Sequence, residues 1–276
     1  MPILANPLCC QGWKCCIVSA LHFPHSLANL AKSIIRGFRF KEQTKEKGIG
    51  MIIFVSGTDT DCGKTFVASH LCLAFKRLGV KVGYQKWVST GNKDFSDDAR
   101  MVYRLLGRED FPLPGSLETP YCFSIPASPH LAAEKDQAII ELDTLKKATL
   151  DLKKQLEVLI IEGAGGLLVP ITRDVLLAQF VKEMDIPVLL VARAGVGTIN
   201  HTLLSLNYIK QEGLKFKGLI MNEQEPTDPK IFMDNLKIIE QFSGISPLCK
   251  IHFSSSIDNS PLDEVIVAAR KLLNES

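Results

Sequence analysis

The sequence predicts an α/β fold with a mostly parallel sheet and helices on both of its faces. Two observations support this prediction. Short apolar runs alternate along the chain with longer amphipathic segments of helical period. Three of the apolar runs end in turns that contain glycine. The chain has 276 residues, of which 46% are hydrophobic and 22% charged, as expected for a soluble globular protein with one main domain.

The first apolar run, residues 51–55, leads into a polar turn and a helix start. Residues 57–65 read Gly-Thr-Asp-Thr-Asp-Cys-Gly-Lys-Thr. A buried strand, a glycine turn and Lys-Thr at a helix start together indicate a phosphate-binding loop, because the loop N–H groups and the helix N-terminus face an anion. Lys64 would contact the β- and γ-phosphates of a nucleotide, and the Thr65 hydroxyl would bind Mg²⁺. We therefore expect a P-loop NTPase-like domain.

The spacing of this loop departs from the strict G-x4-G-K-[ST] pattern. Thr58 stands where the first glycine is expected, and Gly57 lies one residue earlier. The alternative interpretation is an ordinary strand–turn–helix junction. The strand-like run before the turn and the amphipathic stretch after it favour the phosphate-binding loop.

The remaining elements are predicted from apolar periodicity and from glycine and proline positions. The predicted helices cover residues 66–78, 99–106, 132–156, 233–242 and 262–273, with a further helix that ends at residue 209. The predicted strands cover residues 80–88, 158–161, 186–191, 216–221 and 248–251. Residues 111–129 contain several prolines and are predicted to form an irregular connection that shapes a binding site.

Polar side chains near the predicted strand ends are candidates for chemistry. Glu162 follows the apolar run 158–161 and precedes a glycine turn, and ligands bind beyond the carboxyl ends of strands in open α/β sheets. It is predicted to bind Mg²⁺ directly or through water, and its alternative is a solvent-facing glutamate. Lys86 is a candidate catalytic lysine, and either Asp97 or Asp98 a candidate metal carboxylate. Their alternatives are a solvated lysine and a helix N-cap.

A third glycine turn, residues 193–201, precedes another predicted helix and is a second candidate anion site. In a parallel sheet the three glycine turns lie along the carboxyl edge. We expect the active site at that edge.

Composition excludes several classes of partner. The balance of 32 basic and 30 acidic residues gives no electrostatic case for nucleic acid, so we expect a small-molecule partner. No apolar run approaches the ~18 residues of a membrane span. The eight cysteines have no metal-site spacing and are typical of reduced thiols in the cytoplasm.

Residues 1–50 differ in composition from the rest of the chain. They contain no acidic residue before Glu42 and two adjacent cysteine pairs. A transit-like presequence is one interpretation. We favour a poorly ordered extension or an artefactual start ahead of Met51, because the first predicted strand begins at that methionine. The functional domain is then predicted over residues 51–276.

Several segments together resemble the dethiobiotin synthetase family. Residues 57–65 resemble its variant phosphate loop, residues 86–91 its substrate-lysine segment and residues 96–99 its metal-aspartate segment. Residues 128–130, 162–166 and 197–201 resemble three further family segments. All occur in the family's order across about residues 51–223, which is more specific than any one motif.

The resemblance implies an ATP-dependent cyclo-ligase that carboxylates diaminopelargonic acid with CO₂. The diamine forms a carbamate, ATP phosphorylates it, and the second amine closes a cyclic urea. It implies a homodimer in which the 197–200 turn binds the substrate carboxylate across the interface. The implied catalytic residues are Lys86 and Lys64. The implied nucleotide site contains Asp61, Cys62, Gly63, Lys64, Thr65 and Asn222. The implied substrate site contains Thr60, Lys86, Thr90, Gly197, Thr198, Ile199 and Asn200. The implied Mg²⁺ ligands are Thr65, Asp98 and Glu162.

The sequence departs from the family pattern at two positions. Trp87 replaces the proline that usually follows the substrate lysine, and His252 follows Ile251 where the family has Ile-Pro. Two other classes share this kind of sheet. A cobyrinic acid-type amidoligase needs a glutaminase, and residues 224–276 are too few for one. A ParA/MinD-like switch ATPase normally has an extra lysine early in the loop, where Asp59 stands here.

Overall fold

A computed structural model describes residues 50–253 and 261–274 of the chain. These residues all belong to one compact unit, Lys47–Ser276. The extension predicted over residues 1–50 lies outside the described residues except for Gly50. In the described part of the chain, no helix is long and apolar enough to cross a bilayer.

Strands and helices alternate along the described chain. The strands are β1 (Met51–Gly57), β2 (Val82–Lys86), β3 (Val88–Thr90), β4 (Tyr121–Phe123), β5 (Val158–Gly166), β6 (Val188–Arg193), β7 (Phe216–Asn222) and β8 (Cys249–Ile251). The helices are α1 (Lys64–Arg77), α2 (Asp97–Leu105), α3 (Pro129–Lys135), α4 (Leu142–Lys153), α5 (Leu177–Glu183), α6 (Thr198–Gln211), α7 (Pro229–Ser243) and α8 (Leu262–Asn274).

Six strands form one sheet in the order β2-β5-β1-β6-β7-β8, and every neighbouring pair is parallel. The predicted parallel sheet is therefore confirmed. Strands β5, β1 and β6, which carry the three glycine turns, are adjacent in it. The turns consequently meet at one carboxyl edge. Strands β3 and β4 form a separate small sheet.

The apolar side chains of the central strands divide between two cores. Ile53 and Val55 pack on the face that carries α1, α2 and α8, whereas Phe54 packs on the face that carries α3 to α7. Strand residues alternate between the faces, so a strand that is covered on both sides must be apolar throughout. This explains the unbroken apolar runs and confirms the prediction of helices on both faces.

The predicted strand over residues 80–88 is wrong in its extent. It is divided into β2 and β3, which belong to different sheets. The Trp87 ring is fully buried and lies 5.0 Å from both Phe54 and Phe180, between ring centroids. Burying this large side chain takes the chain out of the main sheet directly after Lys86.

The predicted helix over residues 132–156 is also wrong, because α3 and α4 are separate. Gln137 follows α3 with a φ of 54°, a left-handed conformation that ends a helix. Glycine or asparagine usually occupies this position, so the break is difficult to predict from a glutamine. The short elements β4 and α5 were not predicted.

Candidate active site

The loop between β1 and α1 has the form of a phosphate cradle. Gly63, which immediately precedes α1, has a φ of 88°. A Cβ atom there would lie 2.0 Å from Nδ2 of Asn222, at the end of β7. The same Asn222 amide donates a hydrogen bond of 3.1 Å to the Cys62 carbonyl. Glycine is therefore required at position 63 by both backbone conformation and space. Asn222 stabilises the loop through its hydrogen bond to Cys62.

Gly57 has the corresponding role at the other end of the loop. A Cβ atom at this position would lie 2.4 Å from the Cys62 Sγ and 2.6 Å from the Asp59 carbonyl oxygen. The loop thus folds back over residue 57. Lys64 is 7% exposed, and its ammonium donates to the Asp59 carbonyl at 3.1 Å. The Lys64 side chain therefore spans the loop from the start of α1 to Asp59.

Lys86 lies between two carboxylates at the carboxyl edge of the sheet. Its Nζ is 2.7 Å from Asp98 Oδ2 and 2.8 Å from Glu162 Oε1, and it also donates to the Gly163 carbonyl at 3.3 Å. Lys86 and Glu162 are opposite each other in the pairing of β2 with β5. They are only 5% and 1% exposed. The solvated alternatives for both residues are thus wrong.

The pKa values of Lys86 and Asp98 favour the charged forms of these two groups. Burial alone would lower the pKa of Lys86, but the carboxylates of Glu162 and Asp98 outweigh it and raise that pKa above its ordinary value. Burial would raise the pKa of Asp98, but the ammonium of Lys86 and its hydrogen bond hold the pKa below the ordinary range. The lysine therefore remains a cation and Asp98 an anion at neutral pH.

The Thr65 hydroxyl joins the same cluster from the start of α1. Its Oγ1 lies 2.8 Å from Asp98 Oδ1 and 2.9 Å from Glu162 Oε1. A hydroxyl and two carboxylates form a set of hard oxygen donors, which suits Mg²⁺, an ion usually held by one or two carboxylates together with phosphates and water. In the described residues, no group of three or more His, Cys, Asp or Glu side chains could hold a metal. The two carboxylates beside Thr65 are within the number that Mg²⁺ usually takes from a protein.

The structure also distinguishes Asp98 from its neighbour. Ser96 is the N-cap of α2 and accepts a hydrogen bond of 3.2 Å from the Ala99 N–H. Asp97 is exposed in the first turn of the helix. Asp98, one residue further along, turns toward Lys86 and Thr65.

These groups line an open cleft of about 820 Å³. Nine of the residues proposed to bind nucleotide, metal or substrate line this cleft: Thr60, Asp61, Gly63, Lys64, Thr65, Lys86, Thr90, Asp98 and Glu162. Cys62 lies within the loop with its side chain buried. Burial raises the pKa of the Cys62 thiol, so the thiol remains protonated.

The 197–200 turn lies in a different place. Gly197, Ile199 and Asn200 line a second cavity of about 700 Å³, formed by α6 and the end of α7. The buried Thr198 hydroxyl is instead 3.2 Å from that of Thr202. Within one chain, these residues do not line the cleft that contains Lys86.

Tyr84 was not predicted as part of the site. The hydroxyl of Tyr84 on β2 donates to Glu162 Oε2 at 2.8 Å. Burial, and then the negative charge of Glu162, raises the pKa of this tyrosine well above its ordinary value. A sequence signal existed: Tyr84 lies two residues before Lys86, and alternate residues of a strand share a face.

The parallel sheet and its phosphate loop define the class of protein: a P-loop NTPase-like domain. In agreement, a family model described as AAA domain matches residues 52–260. A chain of the MinC:MinD cell division protein complex from Aquifex aeolicus has a similar fold, with a TM-score of 0.56 and 16% identity over 82% of this chain and 97% of that one. MinD with Mg-ADP from Pyrococcus horikoshii gives a TM-score of 0.53, 16% identity, and coverage of 81% and 95%. At this identity the likeness concerns the fold alone.

Relatives of closer sequence define the family. The ATP-dependent dethiobiotin synthetase BioD of Nitrosopumilus maritimus is 33% identical over 77% of this chain and 93% of its own length. The enzyme of the same name from Clostridium perfringens is 33% identical over 80% and 98%, and that from Methanococcus vannielii 36% over 70% and 90%. The chain belongs to the ATP-dependent dethiobiotin synthetase family. It is thus an ATP-dependent ligase.

Proposed function

We propose that the protein converts 7,8-diaminopelargonic acid, CO₂ and ATP to dethiobiotin, ADP and phosphate, as a cytoplasmic homodimer. One observation carries the proposal. The Lys86 ammonium, the Thr65 hydroxyl and the carboxylates of Asp98 and Glu162 share a cleft with the phosphate-loop Lys64. A cation for the carbamate and a cradle for the transferred phosphate are therefore close neighbours.

The first step forms a bond between one amine nitrogen of the substrate and the carbon of CO₂, with loss of a proton from the amine. The product carbamate carries one negative charge. Lys86 is buried and held as a cation, so it can neutralise that charge where water is scarce. Thr60 and Thr90 line the same cleft and are the proposed hydrogen-bond partners of the carbamate.

In the second step a carbamate oxygen attacks the γ-phosphorus of ATP, and ADP leaves. The second amine then attacks the carbamate carbon, and phosphate leaves as the ring closes. Phosphoryl transfer depends mainly on positioning and on neutralisation of charge. Lys64 and the N–H groups of residues 61–65 are the proposed contacts of the phosphates, and Asn222 the proposed contact of adenine.

Thr65, Asp98 and Glu162 are the proposed Mg²⁺ ligands, and the bound ion would neutralise charge on the β- and γ-phosphate oxygens. We further propose that the 197–200 turn of one subunit binds the substrate carboxylate of the other. The helix N-terminus after Gly197 is a suitable anion site, and these residues line a cavity apart from the cleft.

The proposal is tested by phosphate release from the purified chain with ATP, Mg²⁺ and bicarbonate, with and without the diamine. We expect diamine-dependent release and a product whose mass shows the added ureido ring. Lys86→Ala should abolish ring formation. Lys146→Ala, which alters an exposed pair with Glu183 on the surface, is the matched control and should leave it unchanged. An equal rate of phosphate release with and without the diamine would contradict the synthetase function and favour a MinD-like switch ATPase.

A further inference from the structure

Tyr84 makes a contact that the pairing of β2 with β5 explains. In this register Lys86 is opposite Glu162 and Tyr84 is opposite Ile160. Tyr84 and Lys86 share a face, because side chains alternate along a strand. Tyr84 is consequently the diagonal neighbour of Glu162, within reach of an aromatic side chain. It approaches the carboxylate from the core, whereas Lys86 approaches it from the cleft.

The two oxygens of Glu162 have different partners. Oε1 is 2.8 Å from the Lys86 ammonium and 2.9 Å from the Thr65 hydroxyl. Oε2 accepts from the Tyr84 hydroxyl at 2.8 Å. Rotation about the last bond of a glutamate side chain is only weakly restricted by its own structure. A donor on each oxygen therefore fixes the plane of the carboxylate.

Tyr84 is itself held firmly. Its side chain is fully buried, and its ring meets that of Tyr103 edge to face with 6.3 Å between centroids. The Tyr103 hydroxyl donates to the main-chain carbonyl of Tyr84 at 2.9 Å, so the Tyr84 side chain is held by burial and by the ring contact and not by this bond. A rigid donor of this kind can hold the group that it contacts in one orientation.

We infer that Tyr84 is a positioning residue that fixes the metal-binding orientation of Glu162. Its hydroxyl holds Oε2 and so directs Oε1 toward Thr65 and Lys86. The inference rests on the proposed function only in taking Glu162 as a metal ligand. Hydrogen-bond partners of metal ligands typically change metal affinity or activity by roughly 10–100-fold when they are removed. Tyr84 does not line the cleft, so its effect would pass through Glu162.

The test compares Tyr84→Phe with Tyr103→Phe in the purified full chain. Each substitution removes one buried hydroxyl and one hydrogen bond to the same part of the structure, but only the first removes a bond to Glu162. Binding of Mn²⁺ in the presence of ADP is measured by calorimetry, without any turnover. Unfolding in EDTA is measured in parallel. We expect Tyr84→Phe to raise the Kd for Mn²⁺ about tenfold and Tyr103→Phe to leave it nearly unchanged.

Three outcomes would overturn the inference: equal shifts in both variants, no shift in Tyr84→Phe, or a Tyr84→Phe protein that does not fold while Tyr103→Phe does. The last would make Tyr84 a core residue only. As a second readout, the half-saturating Mg²⁺ concentration for diamine-dependent phosphate release should rise in Tyr84→Phe with little change in the KM for the diamine. Failure of the wild-type chain to use the diamine would refute the proposed function but would leave the Mn²⁺ comparison valid.

Discussion

Lys86→Met should destabilise the metal-free protein because it leaves two carboxylates without their shared cation. The Lys86 Nζ is 2.7 Å from Asp98 and 2.8 Å from Glu162. Removing one partner of a buried ion pair typically costs about 3–5 kcal/mol of unfolding free energy. The Asp98 side chain is 32% exposed, so water reduces the penalty on that side. We expect a loss of about 3 kcal/mol at pH 7.

The loss should depend on pH in a definite direction. In the wild type the pKa of Asp98 is depressed, so its stabilising contribution is present above about pH 3.9, the ordinary aspartate pKa. It disappears as the pH falls through the lower folded pKa. The pKa of Lys86 is raised, so its contribution is complete below about pH 10.4 and disappears only above that. The difference between wild type and Lys86→Met should thus be constant from about pH 5 to 9 and shrink in more acidic solution.

The assay is urea unfolding in EDTA, followed by circular dichroism at several pH values. Lys146→Met is the matched control, since the Lys146 pair with Glu183 is exposed and 3.3 Å long. Such surface pairs contribute at most about 1 kcal/mol. If Lys86→Met lost no more stability than Lys146→Met, or if its loss were the same at about pH 2.5 as at pH 7, the reasoning on a buried charge cluster would be refuted.

Two further predictions use neighbouring or matched residues. Asp98→Asn should raise the half-saturating Mg²⁺ concentration for phosphate release at least tenfold. Asp97→Asn, on the exposed side of the same turn, should not raise it. A larger rise in Asp97→Asn than in Asp98→Asn would make Asp97 the metal carboxylate. Gly63→Ala should weaken ATP binding more than about tenfold by calorimetry, because its Cβ would meet Asn222. Gly79→Ala has a similar φ of 78° but open space, so it should lower stability by about 1 kcal/mol and leave ATP binding intact.

Much of the fold could be predicted because local patterns determine it. A strand buried on both faces must be apolar, so β1, β5 and β6 were recognisable from their apolar runs. The division of residues 80–88 was not, because Trp87 and Val88 are residue types that favour strands, although they belong to a different sheet and pack in another part of the fold. The break between α3 and α4 was missed because Gln137 adopts a left-handed conformation, which is uncommon for any residue other than glycine or asparagine.

The candidate site could be predicted where each residue stands at a strand end or helix start. Thr65 and Glu162 have such positions, and the structure brings them within 2.9 Å. The choice of Asp98 over Asp97 needed the family resemblance, because two adjacent carboxylates are chemically equal in a sequence. The contact of Tyr84 with Glu162 required the register between β2 and β5, which local pattern does not contain.

The unusual spacing of the phosphate loop has a physical explanation. A glycine is needed wherever the loop folds back onto its own strand. Here that point is Gly57, where a Cβ would collide with Cys62 and Asp59. Thr58 instead donates its N–H to the Val191 carbonyl on β6 at 2.9 Å and fastens the loop to the neighbouring strand. The glycine requirement therefore follows the backbone path and not a fixed count of residues, which is why this loop keeps the form of a phosphate cradle without the standard pattern.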